Sequence, residues 1–333
     1  MAICILGDLH FRSDRDFFIR TCEEFLKWFK GWSFNNPNNE LILAGDLVES
    51  ATSPGGLTIS FLEQFSQCSQ FKKIHICVGN HDEKKVNGIP QLAYEFFEHK
   101  SNIYIYKTPT ETIIDNKKAL ILPYFNGTND EGLTLGEYYS NIYKNKAFKN
   151  DYDLIVGHFS GEDASFPGSS ECVKNLDKFT CKVCLGHIHT RNINPQRYIG
   201  SIFAGKKSEN DYTRAAWILE NDNWFEDPLP LFNEFLTVTY PESLSKSKAL
   251  IPVYTVLNCG SEVIAKRKYG NIYIRRTTSD TEDLGAKKSL DLDRQFTSIR
   301  DFNIKELFKE FVKNQDPPLS TEVIRECQSL LIN

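Results

Sequence analysis

Short apolar runs recur along the first two-thirds of the chain, and most of them end at a glycine followed at once by Asp, Asn or His. The runs are rich in Ile, Val and Leu and, apart from His75, continuously apolar, which is typical of strands covered on both faces. They are Ala2–Leu6, Leu41–Ala44, Ile74–Val78, Ala119–Leu122, Leu154–Val156 and Val183–Leu185. In α/β folds ligands bind beyond the carboxyl ends of the strands, so the polar residues stand where a binding site is expected.

Between these runs lie segments with the apolar periodicity of a helix. We predict helices over Asp16–Trp32 and Gly56–Phe71, and a shorter one over Pro90–His99. The alternation of strands and helices predicts an α/β fold with a largely parallel central sheet. The apolar residues of the second and third helical segments are most simply core residues. They are Phe61, Leu62, Phe65, Phe96 and Phe97.

The pattern changes after about Asn194. A hairpin is predicted from Ala215–Glu220 and Trp224–Phe225, because the Asn-Asp-Asn sequence between them favours a tight turn. Three further strands surround a short polar segment and predict a small α+β unit. These strands are Phe235–Tyr240, Val253–Leu257 and Ile272–Arg275.

The last part of the chain is predicted to be a linker followed by a pair of helices. Thr277–Arg294 is charged and nearly free of apolar residues, which is typical of a linker. Two apolar stripes follow, at Ile304–Val312 and Val323–Leu331, and Pro317-Pro318 separates them. The predicted domains are residues 1–232, 233–277, 278–300 and 301–333.

Composition excludes some functions and leaves others open. The 333 residues include 39 Lys and Arg against 44 Asp and Glu, which gives a net charge of −5. This charge excludes a basic coat protein for nucleic acid, although a local basic patch could still bind DNA. No apolar run approaches the roughly 18 residues of a membrane span. Asp8 and His10 interrupt the first apolar stretch, which argues against a signal peptide.

Nine cysteines are scattered through the chain, and their odd number in a long sequence indicates reduced thiols in the cytoplasm. Cys181-x-x-Cys184 resembles half of a zinc knuckle. Its flanks predict a strand, in which residues three apart point to opposite faces. Structural thiols are therefore favoured over a metal site for this pair.

Five of the seven histidines stand directly after predicted strands. Together with one Gly-Asp pair they form five motifs that supply carboxylate, imidazole and amide groups. The motifs are Gly7-Asp8-Leu9-His10, Gly45-Asp46, Gly79-Asn80-His81-Asp82, Gly157-His158 and Gly186-His187-Ile188-His189. Any single pair would favour a core or surface role, but the whole set suits two borderline divalent ions such as Mn or Zn. The sequence therefore predicts a dinuclear metal site.

This ordered set resembles the calcineurin-like metallophosphoesterase superfamily, whose motifs run D-x-H, GD, GNH, GH and GH-x-H. The resemblance covers Gly7 to His189 and implies an α/β fold, a four-layer α-β-β-α sandwich with a small α+β cap domain and a C-terminal helix pair. It implies that Asp46 bridges two ions. The remaining implied ligands are Asp8, His10 and His189 for one ion, and Asn80, His158 and His187 for the other.

The resemblance also implies roles for the two residues that follow Asn80. His81 is the candidate to stabilise the transition state or to protonate the leaving alkoxide. Asp82 is expected to orient an imidazole. The two divalent ions are expected to be Mn, with Mg, Zn or Fe as alternatives.

Differences from three branches of the superfamily narrow the range of possible substrates. Asp46-Leu47-Val48-Glu49-Ser50 lacks the arginine of protein Ser/Thr phosphatases and the ligand tyrosine of purple acid phosphatases. Minimal phosphodiesterases end soon after the last motif, whereas this chain continues for 144 residues beyond His189 (333 − 189). The continuation is similar to the SbcD-type subunit of the SbcCD nuclease, and closest to the recombination nuclease subunit of large tailed phages. Glu49 departs from that branch, which more often has Asp or His.

The nuclease resemblance implies DNA as the substrate and a homodimer that binds an SbcC-type ABC ATPase with a coiled coil. The terminal helix pair is expected to dock this ATPase, in the host cytoplasm if the protein is phage-encoded. The densest basic stretch is a candidate for contacts with DNA phosphates, with an ordinary solvated face as the alternative. It comprises Lys266, Arg267, Lys268, Arg275 and Arg276.

Two other functions stay open from the sequence. One is a free-standing phosphodiesterase acting on a small or cyclic nucleotide, and the terminal helix pair argues against it. The other is a non-catalytic scaffold with this fold, and the complete ligand set and His81 argue against that. His75 and His99 are predicted to be structural.

Overall fold

The structure is a computed structural model that describes most of the chain up to Thr277. The described residues are 2–52, 55–86, 89–144, 152–161, 172–174, 176, 181–190, 198–210, 213–239, 247–257 and 273–277. All of them belong to the first of two compact units, Met1–Thr277. The second unit, Thr278–Asn333, lies outside the described residues, and so do the predicted linker and helix pair.

The described part of the chain contains the following elements. The strands are β1 (Ile3–Leu6), β2 (Glu40–Leu43), β3 (Lys73–Cys77), β4 (Glu83–Val86), β5 (Ile89–Leu92), β6 (Ile103–Tyr106), β7 (Thr110–Ile114), β8 (Lys117–Leu122), β9 (Leu154–His158), β10 (Ser160–Gly161), β11 (Cys172–Val173), β12 (Lys182–Gly186), β13 (Ala215–Glu220), β14 (Asn223–Pro228), β15 (Asn233–Thr239), β16 (Ile251–Leu257) and β17 (Tyr273–Thr277). The helices are α1 (Asp16–Phe34), α2 (Gly56–Cys68) and α3 (Leu135–Lys144), with 3-10 helices at Glu95–His99 and Lys207–Glu209.

Two sheets carry the predicted strands. The larger sheet has the order β14-β13-β1-β2-β3-β6, with β1, β2, β3 and β6 parallel and β13 antiparallel to both neighbours. The smaller has the order β12-β9-β8-β7, and only β7 is antiparallel. The fold is therefore mixed α/β, as the sequence predicts.

The apolar runs are continuous because both faces of their strands are buried. In β1, Ile3 and Ile5 belong to a hydrophobic cluster that also contains Val156 of the smaller sheet. The alternate residues, Cys4 and Leu6, belong to a second cluster together with the apolar faces of α1 and α2. A third cluster joins α3 to the smaller sheet. Side-chain alternation along each strand thus assigns neighbouring residues to different cores.

The predicted hairpin after Asn194 is confirmed, because β13 and β14 pair antiparallel about Asn221 and Asp222. Both turn residues have positive φ, at 49° and 65°, as a tight hairpin turn requires. The three strands that follow form a separate parallel sheet in the order β15-β16-β17, which we call the small sheet. The domain boundaries stay predictions.

The helix predicted over Pro90–His99 is wrong in its first half. Ile89–Leu92 is the strand β5, which pairs antiparallel with β4 so that Pro90 stands opposite Lys85, and only Glu95–His99 is helical. The sequence carried a signal for this hairpin, since Asn87-Gly88 is a dipeptide that favours a two-residue turn between strands. Proline is tolerated in an edge strand, because the hydrogen bond that Pro90 cannot donate is not required at such a position.

Candidate metal centre

All five motifs lie at the carboxyl ends of strands. The loops after β1, β2 and β3 supply residues from the larger sheet, and the end of β9 and the loop after β12 supply residues from the smaller sheet. The two sheets approach closely here, since a Cβ on Gly186 would lie 2.0 Å from the Ala44 carbonyl oxygen. The site is therefore built where parallel strands of both sheets end.

Asp8, His10 and His189 form one group, which we call the first site. Ligand atoms of these three residues all lie within 4.8 Å of one another. The Nε2 atoms of His10 and His189 are 2.9 Å apart, although they come from residues 179 positions apart in the sequence. The structure thus brings together the three residues that the resemblance assigned to one ion.

Asn80, His158 and His187 form a second group, which we call the second site. The Asn80 Oδ1 atom lies 2.9 Å from His158 Nε2 and 3.0 Å from His187 Nδ1. His158 is fully buried, and its Nδ1 donates a hydrogen bond to the Ala44 carbonyl oxygen at 2.8 Å. This bond places the proton on Nδ1 and turns Nε2 towards the other members of the group.

Asp46 stands between the two sites. Its Oδ2 atom lies 3.2 Å from His158 Nε2 of the second site and 3.7 Å from His10 Nε2 of the first. Burial opposes ionisation of this carboxyl group, but the charge and hydrogen bond of His158 hold its pKa well below the ordinary value. Asp46 is therefore an anionic side chain within reach of both groups, as a bridging ligand must be.

The donor set suits divalent cations. The Oδ2 atom of Asp8 is buried and has no hydrogen-bond partner among the described residues. In a neutral His158, the lone pair of Nε2 faces the Asp46 carboxylate, and two acceptors in contact need a proton or a metal ion between them. Burial opposes protonation of His158, yet the charge and hydrogen bond of Asp46 raise its pKa to about 9. The buried carboxylates of Asp46 and Asp8 thus place negative charge beside His158 that a cation would neutralise.

Backbone strain is concentrated in the same residues. Asp8, His10, Asp46 and His187 have φ values of 48°, 45°, 51° and 80°, in the left-handed region that non-glycine residues rarely adopt. The other described non-glycine residues with positive φ are Asp115, Asn116, Asn221 and Asp222, all in hairpin turns. Such strain costs on the order of 1–3 kcal/mol per residue and persists at functional sites because the surrounding structure enforces it.

Glycines make room for the ligands. A Cβ on Gly79 would lie 2.2 Å from Asp46 Oδ1 and 2.3 Å from the Asp46 backbone nitrogen.

Substituting Gly79 with Ala should therefore displace Asp46 and lower both metal content and hydrolysis at least tenfold. This is about the loss seen when the support of a metal ligand is removed. Gly31, inside α1 with open space around it, is the matched control. Gly31→Ala should raise helix stability by roughly 0.5–1 kcal/mol and leave metal content unchanged, as elemental analysis and thermal melting would measure. Full metal content in Gly79→Ala would contradict the packing argument.

Two carboxylates outside the motifs lie beside the outward-facing nitrogens of the first-site imidazoles, as a hydrogen bond at His189 and as an ion-pair contact at His10. His10 Nδ1 lies 3.2 Å from Glu49 Oε2, and His189 Nδ1 donates to Glu209 Oε1 at 3.2 Å. Contacts of this kind fix which ring nitrogen faces a metal ion. In the sequence, Glu49 stands out only as a departure from a family pattern, and Glu209 gives no local signal because it lies 20 residues from His189.

The expected role of Asp82 needs correction. Asp82 is fully buried, and its carboxylate accepts hydrogen bonds from backbone N–H groups rather than from an imidazole. Oδ1 accepts from Leu47 at 2.7 Å and from Val48 at 3.2 Å, while Oδ2 accepts from Gly79 at 2.8 Å. Burial and the nearby charge of Asp46 raise the pKa of Asp82. Asp82 therefore ties the Asp46 loop to the Asn80 loop.

Residues 1–191, more than half of the chain, match the calcineurin-like phosphoesterase family. The chain belongs to this family. It is therefore a metal-dependent phosphoester hydrolase. No curated protein matches the sequence. Among solved structures, a protein of unknown function from Aquifex aeolicus is similar at 16% identity and a TM-score of 0.27, covering 52% of this chain and 88% of that one. That likeness is too weak to inform the function.

His81 of the phosphoesterase lies beside the first site. Its ring contacts the ring of His10 edge-on, with 5.1 Å between the centroids. Its Nδ1 donates to the Glu49 carbonyl oxygen at 2.6 Å, and its backbone N–H donates to Asp46 Oδ1 at 2.9 Å. With Nδ1 held by a carbonyl group, Nε2 is the nitrogen that remains for a substrate.

Some of the remaining predicted residues of the phosphoesterase are described by the structure, and others are not. His75 is buried and bonded to Glu40 Oε2 at 3.0 Å and to the Tyr106 hydroxyl at 2.8 Å, which supports its structural role. The groups of described residues that could hold a metal ion include neither Cys181 nor Cys184.

The basic candidates Lys266, Arg267 and Lys268 lie outside the described residues. Arg275 and Arg276 belong to β17, where their side chains are not described. Among the described helices, none combines the length and apolarity needed to cross a bilayer.

Proposed function

We propose that this phosphoesterase is the nuclease subunit of an SbcCD-like complex, and that it hydrolyses phosphodiester bonds of DNA. The expected activities are exonuclease action on duplex DNA and endonuclease action on single strands, in recombination, repair or replication. The observation that carries this proposal is the small sheet, which the chain adds after the last proposed ligand. Minimal phosphodiesterases of the superfamily have no such continuation.

The proposed roles at the site follow from the geometry. In this proposal Asp46 would be shared by two ions, of which the first site would hold one and the second site the other. When bound, such ions neutralise charge on the phosphate and make water a nucleophile at neutral pH. The three hydrophobic clusters support the four-layer α-β-β-α sandwich that positions these residues.

His81 serves as the proton donor in this proposal. Water attacks phosphorus and loses one proton to the solvent, the bond to the leaving oxygen breaks, and Nε2 of a protonated His81 supplies a proton to that oxygen. The hydrogen bond from Nδ1 to the Glu49 carbonyl fixes the ring, because a carbonyl only accepts, and it leaves Nε2 to face the leaving oxygen. Asp82 contributes indirectly by tying together the loops that carry Asp46 and His81.

A small pocket beside the second site brings a cation, an aromatic ring and an amide close to Asn80. It has a volume of about 60 Å³ and is lined by Asn80, Glu83, Lys85, Tyr124 and Asn126. Lys85 offers a cation for a neighbouring phosphate. Tyr124 offers an aromatic ring and Asn126 an amide, groups that contact bases and sugars in complexes with single-stranded nucleic acids.

The proposed partners follow from the resemblance. We infer a homodimer and an SbcC-type ATPase docked on residues 301–333, with the basic stretch at 266–276 touching DNA phosphates. The ions are proposed to be Mn, with Mg, Zn or Fe as the alternatives.

A nuclease assay on the purified full-length chain tests the proposed function. With Mn²⁺ present, it should shorten end-labelled duplex DNA and cleave circular single-stranded DNA, and chelation should stop both reactions. Cyclic nucleotides supplied at the same concentration should be hydrolysed at least tenfold more slowly. Faster hydrolysis of the cyclic nucleotides, or activity on them alone, would favour the free-standing phosphodiesterase instead.

A further inference from the structure

Two chains of contacts lead from the first site to one residue of the small sheet, Phe235. One begins at His189 and the other at His10, and they run through different elements. Both start at the nitrogen of the imidazole that faces away from the site. The inference below rests on the proposed function, because it concerns the affinity of that site for its ion.

The first contact chain runs through the segment that follows Gly205. His189 Nδ1 donates to Glu209, whose other carboxylate oxygen accepts from the Gly205 backbone N–H at 2.7 Å. The next residue, Asn210, pairs its side-chain amide with both backbone groups of Phe235. Its Oδ1 accepts from the Phe235 N–H at 2.9 Å, and its Nδ2 donates to the Phe235 carbonyl oxygen. Glu209 is thus held at a fixed distance from β15.

A second amide pair reinforces this attachment. Asn233 of β15 bonds both backbone groups of Ala204: its Oδ1 accepts at 2.9 Å and its Nδ2 donates at 2.7 Å. Asn233 and Ala204 are both buried, so neither bond competes with bulk water. The segment from 204 to 210 is therefore fastened to the small sheet at both ends.

The second contact chain runs through α1. His10 Nδ1 lies 3.2 Å from one oxygen of Glu49, and the other oxygen lies 3.1 Å from the Arg12 guanidinium. The Arg12 guanidinium carbon stands 4.0 Å above the ring of Phe18. The rings of Phe17 and Phe18 both contact Phe235, with centroids 5.6 Å and 6.3 Å away.

The second site has no comparable connection among the described residues. His158 Nδ1 is held by the Ala44 carbonyl at the end of β2. The His187 backbone N–H donates to Asp8 Oδ1 at 2.9 Å, and its ring nitrogen lies against Asn80. Movement of the small sheet would therefore reach the first site directly, and the second site only indirectly, through Asp8 and the shared Asp46.

We propose that Phe235 is a positioning residue for the first site: through Asn210–Glu209 and Phe18–Arg12–Glu49 it sets the orientation of His189 and His10. The small sheet thereby controls the affinity of the first site more strongly than that of the second. A displacement of β15 would change the occupancy of the first site most.

Titration of the metal-free, full-length chain with Mn²⁺ by calorimetry tests this inference without using activity. His189→Ala and His187→Ala serve as reference variants that assign each of the two binding steps to a site. Phe235→Ala and Asn210→Ala should each weaken first-site binding by about 10- to 100-fold, the usual cost of losing support behind a metal ligand. Second-site binding should stay within about twofold, and Phe235→Tyr, which keeps the ring, should restore the first site.

Matched substitutions on β14 control for general effects. Phe225 is 50% exposed, and the Asn223 side chain bonds only to the neighbouring Asn221 carbonyl, so their Ala variants should leave both sites unchanged. If Phe235→Ala does not fold, Asn210→Ala tests the other contact chain alone. Equal loss at both sites, or unchanged first-site affinity in both variants, would overturn this inference only. A wild-type chain that bound fewer than two ions would overturn the two-ion proposal and this inference with it.

Discussion

Asp46→Ala is expected to abolish hydrolysis and to leave the purified protein with less than one tightly bound ion per chain. The carboxylate is 2% exposed and lies within 3.7 Å of imidazole nitrogens from both sites, so its removal deprives both ions of a shared anionic ligand. It also removes the acceptor of the His81 backbone N–H. Each ion would then be bound by ligands that carry less negative charge to stabilise it. Elemental analysis of the dialysed protein and a phosphodiester assay measure the two effects.

Asp130→Ala is the matched control for this substitution. Asp130 is an exposed aspartate in the loop before α3, so its loss removes the same charge from the protein without touching the site. Its metal content and hydrolysis should equal those of the wild type. Two ions retained by Asp46→Ala would show that this carboxylate does not bridge, and the assignment of both sites would have to be abandoned.

The site could be predicted from sequence because its residues obey a local rule. Each proposed ligand follows a buried strand within a few positions, and the carboxyl ends of parallel strands meet at one edge. The long distances along the chain, such as the 179 positions between His10 and His189, therefore did not matter. The same reasoning gave β1, β2 and β3 to within one residue at each end, since both faces of these strands are buried and their residues are apolar apart from Glu40, Lys73 and His75.

The supporting contacts could not be predicted, because no local rule produces them. Glu209 reaches His189 only through the path of the segment after Gly200, and Asp82 faces backbone N–H groups whose positions depend on two loops. Strands with one exposed face were missed for a different reason. In β6 the exposed Tyr104 alternates with buried Ile103, so the run is not continuously apolar and the pattern that identified the other strands does not detect it.

His81→Ala is expected to lower turnover on DNA by about 10²- to 10⁴-fold, the usual contribution of a general acid, while metal content stays at the wild-type level. The two effects separate because the His81 ring is not one of the groups that converge on the proposed ions. Only its backbone N–H contacts Asp46, and alanine retains that group. The ring itself is held by the Glu49 carbonyl through Nδ1, which leaves Nε2 as the nitrogen that meets the leaving oxygen.

The leaving group distinguishes proton donation from phosphate positioning. The deoxyribose alkoxide that DNA releases is a strong base and needs a proton as the bond breaks, whereas p-nitrophenolate is stable as an anion at neutral pH. For bis(p-nitrophenyl) phosphate the loss in His81→Ala should therefore be much smaller than for DNA. His75→Ala makes an instructive comparison, since His75 is a buried histidine remote from the site, and any loss it causes should accompany a lower melting temperature and be equal for both substrates. Equal losses on DNA and on the nitrophenyl ester in His81→Ala would mean that His81 stabilises the phosphate in the transition state and does not deliver the proton.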